Sequence, residues 1–165
     1  MDLNNIHPSL KNLLEKEIGK VEIFECDSIF SDTELFCNEY EFLLEDSCNA
    51  ILIKSKKPEI YYSMFCILGN NRLDVNGKVK KALNAKRVSF ASKDEAEEIS
   101  KQIYGGISPL GLGKDIDIYI DENILKRDKV FIGGGNRTTK IFLSPTELIR
   151  LTNGAVIDLA QSRPA

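Results

Sequence analysis

At 165 residues the chain is long enough to bury a core without metal or disulfide staples, and one domain over residues 1–165 is expected. Its net charge is −3, His7 is its single histidine, and Cys26, Cys37, Cys48 and Cys66 form no C-x-x-C pair. These leave little from which to build a zinc site, a Ser-His-Asp triad or a Cys-His pair, so no metal or cofactor is expected and the cysteines read as buried apolar groups. No apolar run approaches the ~20 residues of a bilayer span. Met1-Asp2-Leu3-Asn4-Asn5 lacks the layout of a leader, and a soluble, cytoplasmic protein is expected.

Residues 9–18 place Leu10, Leu13, Leu14 and Ile18 on one side of a helix, with Gly19 as its stop. A short strand follows at 21–24. Ser31-Asp32-Thr33-Glu34 has capping-box spacing with Ser31 as the cap, and predicts a helix to residue 40. Residues 49–54 and 60–68, rich in Ile, Leu, Tyr and Phe and split by Lys56-Lys57-Pro58-Glu59, predict a hairpin. Asp74 opens a helix through residue 83, with Val75, Val79, Ala82 and Leu83 inward and Lys78, Lys80 and Lys81 near the outside. A strand at 87–91 precedes the capping box Ser92-Lys93-Asp94-Glu95 and a helix ending near residue 103. The alternation at 116–120 predicts a strand with Asp115, Asp117 and Tyr119 on a solvated face, before a turn or short helix at 121–125. Strands at 129–132 and 139–143 pair, Ser144-Pro145-Thr146-Glu147 starts a helix to residue 151, and 156–159 closes a sheet edge. Without strict βαβ repetition, this order implies an α+β fold: a mixed, largely antiparallel sheet packed with helices.

Charge is unevenly distributed. Residues 1–53 carry 3 basic and 12 acidic side chains, whereas 54–87 carry 9 basic ones against Glu59 and Asp74. On its own the basic stretch reads as a solvated lysine-rich face or as a local phosphate-binding surface. Two glycine-rich runs, residues 104–113 and Gly133-Gly134-Gly135-Asn136-Arg137, either make ordinary tight turns or bring main chain close to a ligand. Gly111-Leu112-Gly113 lacks the third glycine and the following helix of a dinucleotide fingerprint, and the second run lacks the Gly-Lys-Ser/Thr ending of a P-loop.

Taken in order, Asn71-Arg72-Leu73-Asp74, Leu83-Asn84-Ala85-Lys86-Arg87-Val88, Gly105-Gly106-Ile107-Ser108-Pro109-Leu110-Gly111, Ile118-Tyr119-Ile120-Asp121, Gly133-Gly134-Gly135-Asn136-Arg137 and Leu143-Ser144-Pro145 resemble the YbaK/EbsC family. That family comprises free-standing relatives of the editing domain inserted in bacterial prolyl-tRNA synthetase. The resemblance covers residues 50–160; residues 1–45 match only in helix–strand–helix layout, as a variable helical part of the same domain. It implies trans-editing, the hydrolysis of the ester joining a wrongly attached, small amino acid to the 3′ end of a tRNA. The tRNA acceptor end is the implied partner, with an aminoacyl-tRNA synthetase as a second candidate.

The family's pocket lies against a Gly-x-x-x-Pro loop, here 105–109, so the resemblance assigns Gly105, Gly106, Ser108 and Pro109 to catalysis. It assigns Ile107, Leu110, Gly134, Gly135 and Arg137 to substrate binding. Backbone N–H groups would stabilise the developing negative charge while the substrate's ribose hydroxyl positions water. The basic stretch, Lys54, Lys80 and Lys81 among it, becomes a docking surface for the acceptor end. Family members carry a lysine at the opening of the strand that here begins with Asn49. An amide replaces a charge-assisted contact of ~1.5–3 kcal/mol with an ordinary one of ~0.5–1.5. Lys140, which shares a strand face with Phe142, is expected either to supply the ammonium from the opposite wall or to be a plain surface lysine. The alternative function is a module that binds an aminoacyl-tRNA or amino acid without cleaving; Asn49 favours it and the intact 105–109 loop favours the enzyme.

Overall fold

The computed structural model describes residues 3–162, so Met1 and Asp2, used above against a leader, lie outside the described residues, as does the end of the 1–165 domain. In chain order the elements are α1 (Pro8–Glu15), β1 (Glu22–Glu25), α2 (Thr33–Tyr40), β2 (Cys48–Lys57), β3 (Tyr61–Leu68), α3 (Lys80–Leu83), β4 (Arg87–Phe90), α4 (Lys93–Ser100), β5 (Asp117–Asp121), β6 (Val130–Gly133), β7 (Thr139–Leu143), α5 (Pro145–Thr152) and β8 (Ala155–Ile157). Five strands form one sheet in the order β4-β2-β3-β5-β8 and three form another in the order β1-β7-β6. Only β3-β5 and β5-β8 pair in parallel, so the arrangement is mixed, largely antiparallel and α+β. A bridge between Ser47 and Phe131 ties the start of β2 to β6 and brings the two sheets together there.

Local chemistry accounts for the helix starts and for where they depart from expectation. Ser92 and Glu95 form the reciprocal capping box of α4, and Ser144 caps α5, with Pro145 in its first turn. At α2 the cap is Asp32 rather than Ser31: its Oδ1 accepts the N–H groups of Glu34 and Leu35, while Ser31 is buried. α1 starts earlier and ends earlier than expected, capped by His7 Nδ1 and stopping at Glu15, which leaves Ile18 64% exposed. Residues 75–79 form one π-helical turn, because the Asp74 carboxylate folds back to accept the Lys78 N–H at 3.2 Å. A side chain at Gly77 would collide with that carboxylate. On the face of β5 expected to be solvated, Asp115 and Asp117 are exposed, but Tyr119 is not: it stacks on Phe65 at 4.9 Å and packs against the second hydrophobic cluster.

Among the described residues all four cysteines are free and buried. Between α2 and the three-stranded sheet lies an aromatic cluster in which Phe36, fully buried, contacts Phe24, Tyr40, Phe42 and Phe131 at centroid distances of 5.1–5.6 Å. This cluster fixes α2, and with it one wall of the cleft described below. Phe36→Ala is expected to cost about 3–5 kcal/mol in urea unfolding, the range for truncating a fully enclosed ring that its neighbours cannot replace.

Candidate active site

The start of β2, the segment entering α2, β7 and the first glycine-rich loop enclose a cleft of about 360 Å³. Asn49, Gly105, Gly106, Ile107 and Lys140 all line it. The two glycine loops make one wall by contacting each other: Gly135 N–H donates to the Gly106 carbonyl at 2.6 Å, and Ile103 N–H donates to the Gly135 carbonyl at 2.9 Å. A Cβ at Gly106 would overlap the Asn136 carbonyl, and one at Gly133 would come within 2.6 Å of the Gly106 and Ile107 carbonyls. The approach therefore requires glycine on both sides.

Within this wall the donors divide. Gly106 N–H is spent on the Ile103 carbonyl, and Ser108 N–H on Gln102 Oε1 at 2.6 Å. The N–H groups of Gly105 and Ile107 have no acceptor among the described residues.

On the facing wall, Asn49 Oδ1 accepts the Thr33 hydroxyl at 2.9 Å and the Ser47 hydroxyl at 3.2 Å. With its oxygen doubly occupied, the amide keeps its NH₂ donors for other partners. Lys140 lies on β7 between Phe24 and Gly133, only 7% exposed. Its Nζ donates to the Ser31 carbonyl at 2.9 Å and sits 5.3 Å from the Phe36 ring centroid. Burial pushes its pKa below the ordinary lysine value, partly offset by Cys26, Cys37 and Asp32. Among the described residues Asp32 is the one carboxylate lining the cleft, and Lys140 the one ammonium.

A family-wide profile for the aminoacyl-tRNA editing domain matches residues 30–151, a span that includes every residue named in the cleft. The chain belongs to that family. Within it, this editing domain is 31% identical over 93 residues to EbsC of Enterococcus faecalis, provisionally described as a Cys-tRNA(Pro)/Cys-tRNA(Cys) deacylase. The aligned stretch is 56% of either chain, so this chain spans about half the length of that relative. Among solved structures, one provisionally described as a trans-editing enzyme for prolyl-tRNA synthetase superposes with a TM-score of 0.81 over 96% of this chain and all of the other, at 21% identity. A second, APE2540, gives 0.82 over 93% and 99%, at 20% identity. At such identities these two establish the YbaK-like fold.

The other expected site residues of the editing domain lie away from the cleft lining. Ser108 is fully buried, and its Oγ accepts Leu110 N–H, so it braces the loop. Pro109 and Leu110 are buried beneath the loop, and Gly134 and Gly135 are buried behind it. Arg137 packs its guanidinium against Gly105 and reaches the Ser28 carbonyl. Lys54 is paired with Glu95 at 2.8 Å, while Lys80 and Lys81 stand on α3. Among the described residues no three His, Cys, Asp or Glu side chains gather as a metal site, and no helix is long and apolar enough to cross a membrane.

Asp32, Thr33 and Gly133 also line the cleft, although the sequence motifs that contain them assign none of the three to the site. The capping motif pointed to the right turn, but it gave no sign that the turn faces Asn49. Because native Lys140 releases its proton more readily than the unfolded side chain, the native state binds fewer protons between its lowered value and about 10.5, and stability from this group rises with pH across that window. Buried Cys26 and Cys37, with raised pKa values, act in the opposite sense. Urea unfolding from pH 7 to 10 is expected to show the rise in the difference between wild type and Lys140→Met.

Proposed function

We propose that this editing domain hydrolyses the ester of a mischarged aminoacyl-tRNA in trans. The observation that carries the reading is that two unengaged backbone donors, of Gly105 and Ile107, line the same cleft as the Asn49 amide and the Lys140 ammonium. An ester carbonyl oxygen placed among them gains negative charge as water attacks the carbon, and fixed donors in a partly enclosed site stabilise that charge without reorganising. The ribose hydroxyl beside the ester orients the water. Collapse of the tetrahedral species breaks the bond to the ribose oxygen, which takes a proton as it leaves. No side-chain nucleophile is required.

Asp32 completes the reading. One of its oxygens caps α2, and its presence in the cleft lining supports a role for the carboxylate as acceptor of the α-ammonium of the amino acid. The family's basic docking surface is reduced here, because Lys54 and Lys78 are held by Glu95 and Asp158. Lys56, Lys57, Lys80, Lys81, Lys86 and Arg87 have no ion-pair partner among the described residues, and form its remainder around the far end of β2. Lys57 is eight residues from Asn49 along that strand, about 26 Å. The description of EbsC supports a small amino acid such as cysteine as the substrate.

A non-cleaving binding module is favoured by one observation, the tether of Lys140 to the Ser31 carbonyl. Ester loss from Cys-tRNA(Pro), Ala-tRNA(Pro) and Pro-tRNA(Pro) separates the two. Hydrolysis of a mischarged species, reduced at least tenfold by Lys140→Ala, is expected, whereas binding without ester loss from any of them would establish the module. Asp32→Asn keeps the helix cap, since Asn caps as well as Asp. It is expected to slow hydrolysis of the free-amine ester roughly tenfold, the difference between a charge-assisted and a neutral hydrogen bond, and to leave an N-acetylated ester unaffected.

A further inference from the structure

A second cleft, of about 540 Å³, adjoins the first and shares Asn49 and Ile51 with it. Its rim carries Phe90, 59% exposed at the end of β4. Phe90 is paired with Ile53 of β2, so its ring lies on the sheet face that also bears Ile51 and Asn49, two and four residues back along the strand. Arg72, Asn71 and Asn76 line the same hollow. The Arg72 guanidinium and the two side-chain amides have no hydrogen-bond or ion-pair partner among the described residues.

A flat apolar ring left in water, two unengaged amides and an unpaired guanidinium around one hollow match the chemistry of a nucleotide. Aromatic rings stack on bases, amides pair with base edges, and guanidinium groups hold phosphate. We infer that the second cleft receives the 3′-terminal nucleoside of the acylated tRNA, with its base stacked on Phe90, its 5′ phosphate facing Arg72 and its ester crossing Asn49 into the first cleft. The inference rests on the aminoacyl-ester reading of that first cleft. In an aminoacyl-tRNA only a ribose separates base from ester, and the two hollows meet at Asn49 and Ile51, so one ligand fills both. Recognition of the amino acid and of the nucleoside is thereby divided between two hollows that meet at Asn49 and Ile51 of one strand.

The test uses an uncharged acceptor minihelix with 2-aminopurine in place of the terminal adenine, whose fluorescence is quenched on stacking. Wild type is expected to quench it. Phe90→Ala is expected to abolish the quench and weaken binding by between about fivefold and a hundredfold, the range for losing one base–aromatic stack, while Phe90→Trp retains both. Arg72→Gln is expected to weaken binding and flatten its salt dependence. Unchanged quenching and affinity in Phe90→Ala overturn the inference, whatever the ester assay gives. Phe90-dependent quenching by a protein that hydrolyses no ester preserves the inference and removes the deacylase reading instead.

Discussion

The contact on which the cleft depends is made between two stretches of bare backbone. Gly106 and Gly133 let the first glycine loop lie directly on the end of β6, and the hydrogen bond from Gly135 to the Gly106 carbonyl locks it there. With the Gly106 carbonyl turned to the second loop, the N–H groups of Gly105 and Ile107, two residues of the cleft lining, have no acceptor among the described residues. A side chain at either glycine would push the loops apart and move those donors together, so the position of the site is set by an absence of atoms rather than by any one functional group.

Opposite this wall the protein meets a different constraint, the cost of holding an ammonium in an apolar setting. Lys140 stands beside the aromatic cluster, out of reach of any carboxylate within ion-pair distance, and is steadied by a carbonyl and a ring face. Such a group is incompletely neutralised, and in the proposed reaction this is what would make it available to charge developing inside the cleft. Asn49 is fixed by the Thr33 and Ser47 hydroxyls, so that in the proposed reaction it would give direction where the lysine gives charge.

Much of the fold was legible because its signals are local. The Ser92 capping box, the Pro145 helix start and the β2–β3 hairpin each follow from residues within a few positions of one another. The structure departs from local signals where a distant partner decides. Ser31 and Asp32 both fit a cap in sequence; the cap went to Asp32, and the Ser31 carbonyl went to a lysine 109 residues away. Tyr119 alternates like a solvated residue, but the second cluster packs over its face of β5. In the site, motif order drew attention to the 105–109 loop, of which residues 105–107 line the hollow together with Asn49 and Lys140, and Lys140 is buried rather than the plain surface lysine that strand alternation also allowed. Which of the loop's N–H groups remain free could not be anticipated, because that depends on Ile103 and Gln102 acting as acceptors.

β2 begins at the cleft and ends among unpaired lysines, with β3 paired along most of its length and β4 joining on the other side from Ile53 onward. On the proposed reading, a hydrogen-bonded strand of this kind would serve as a ruler. A ligand presenting an acyl group at one end and phosphates at the matching separation would engage both marks at once, its second contact forming at high effective concentration. A short aminoacyl ester would reach only the first mark. Length would then be measured by the sheet itself, and the amino acid would not carry the whole burden of selection.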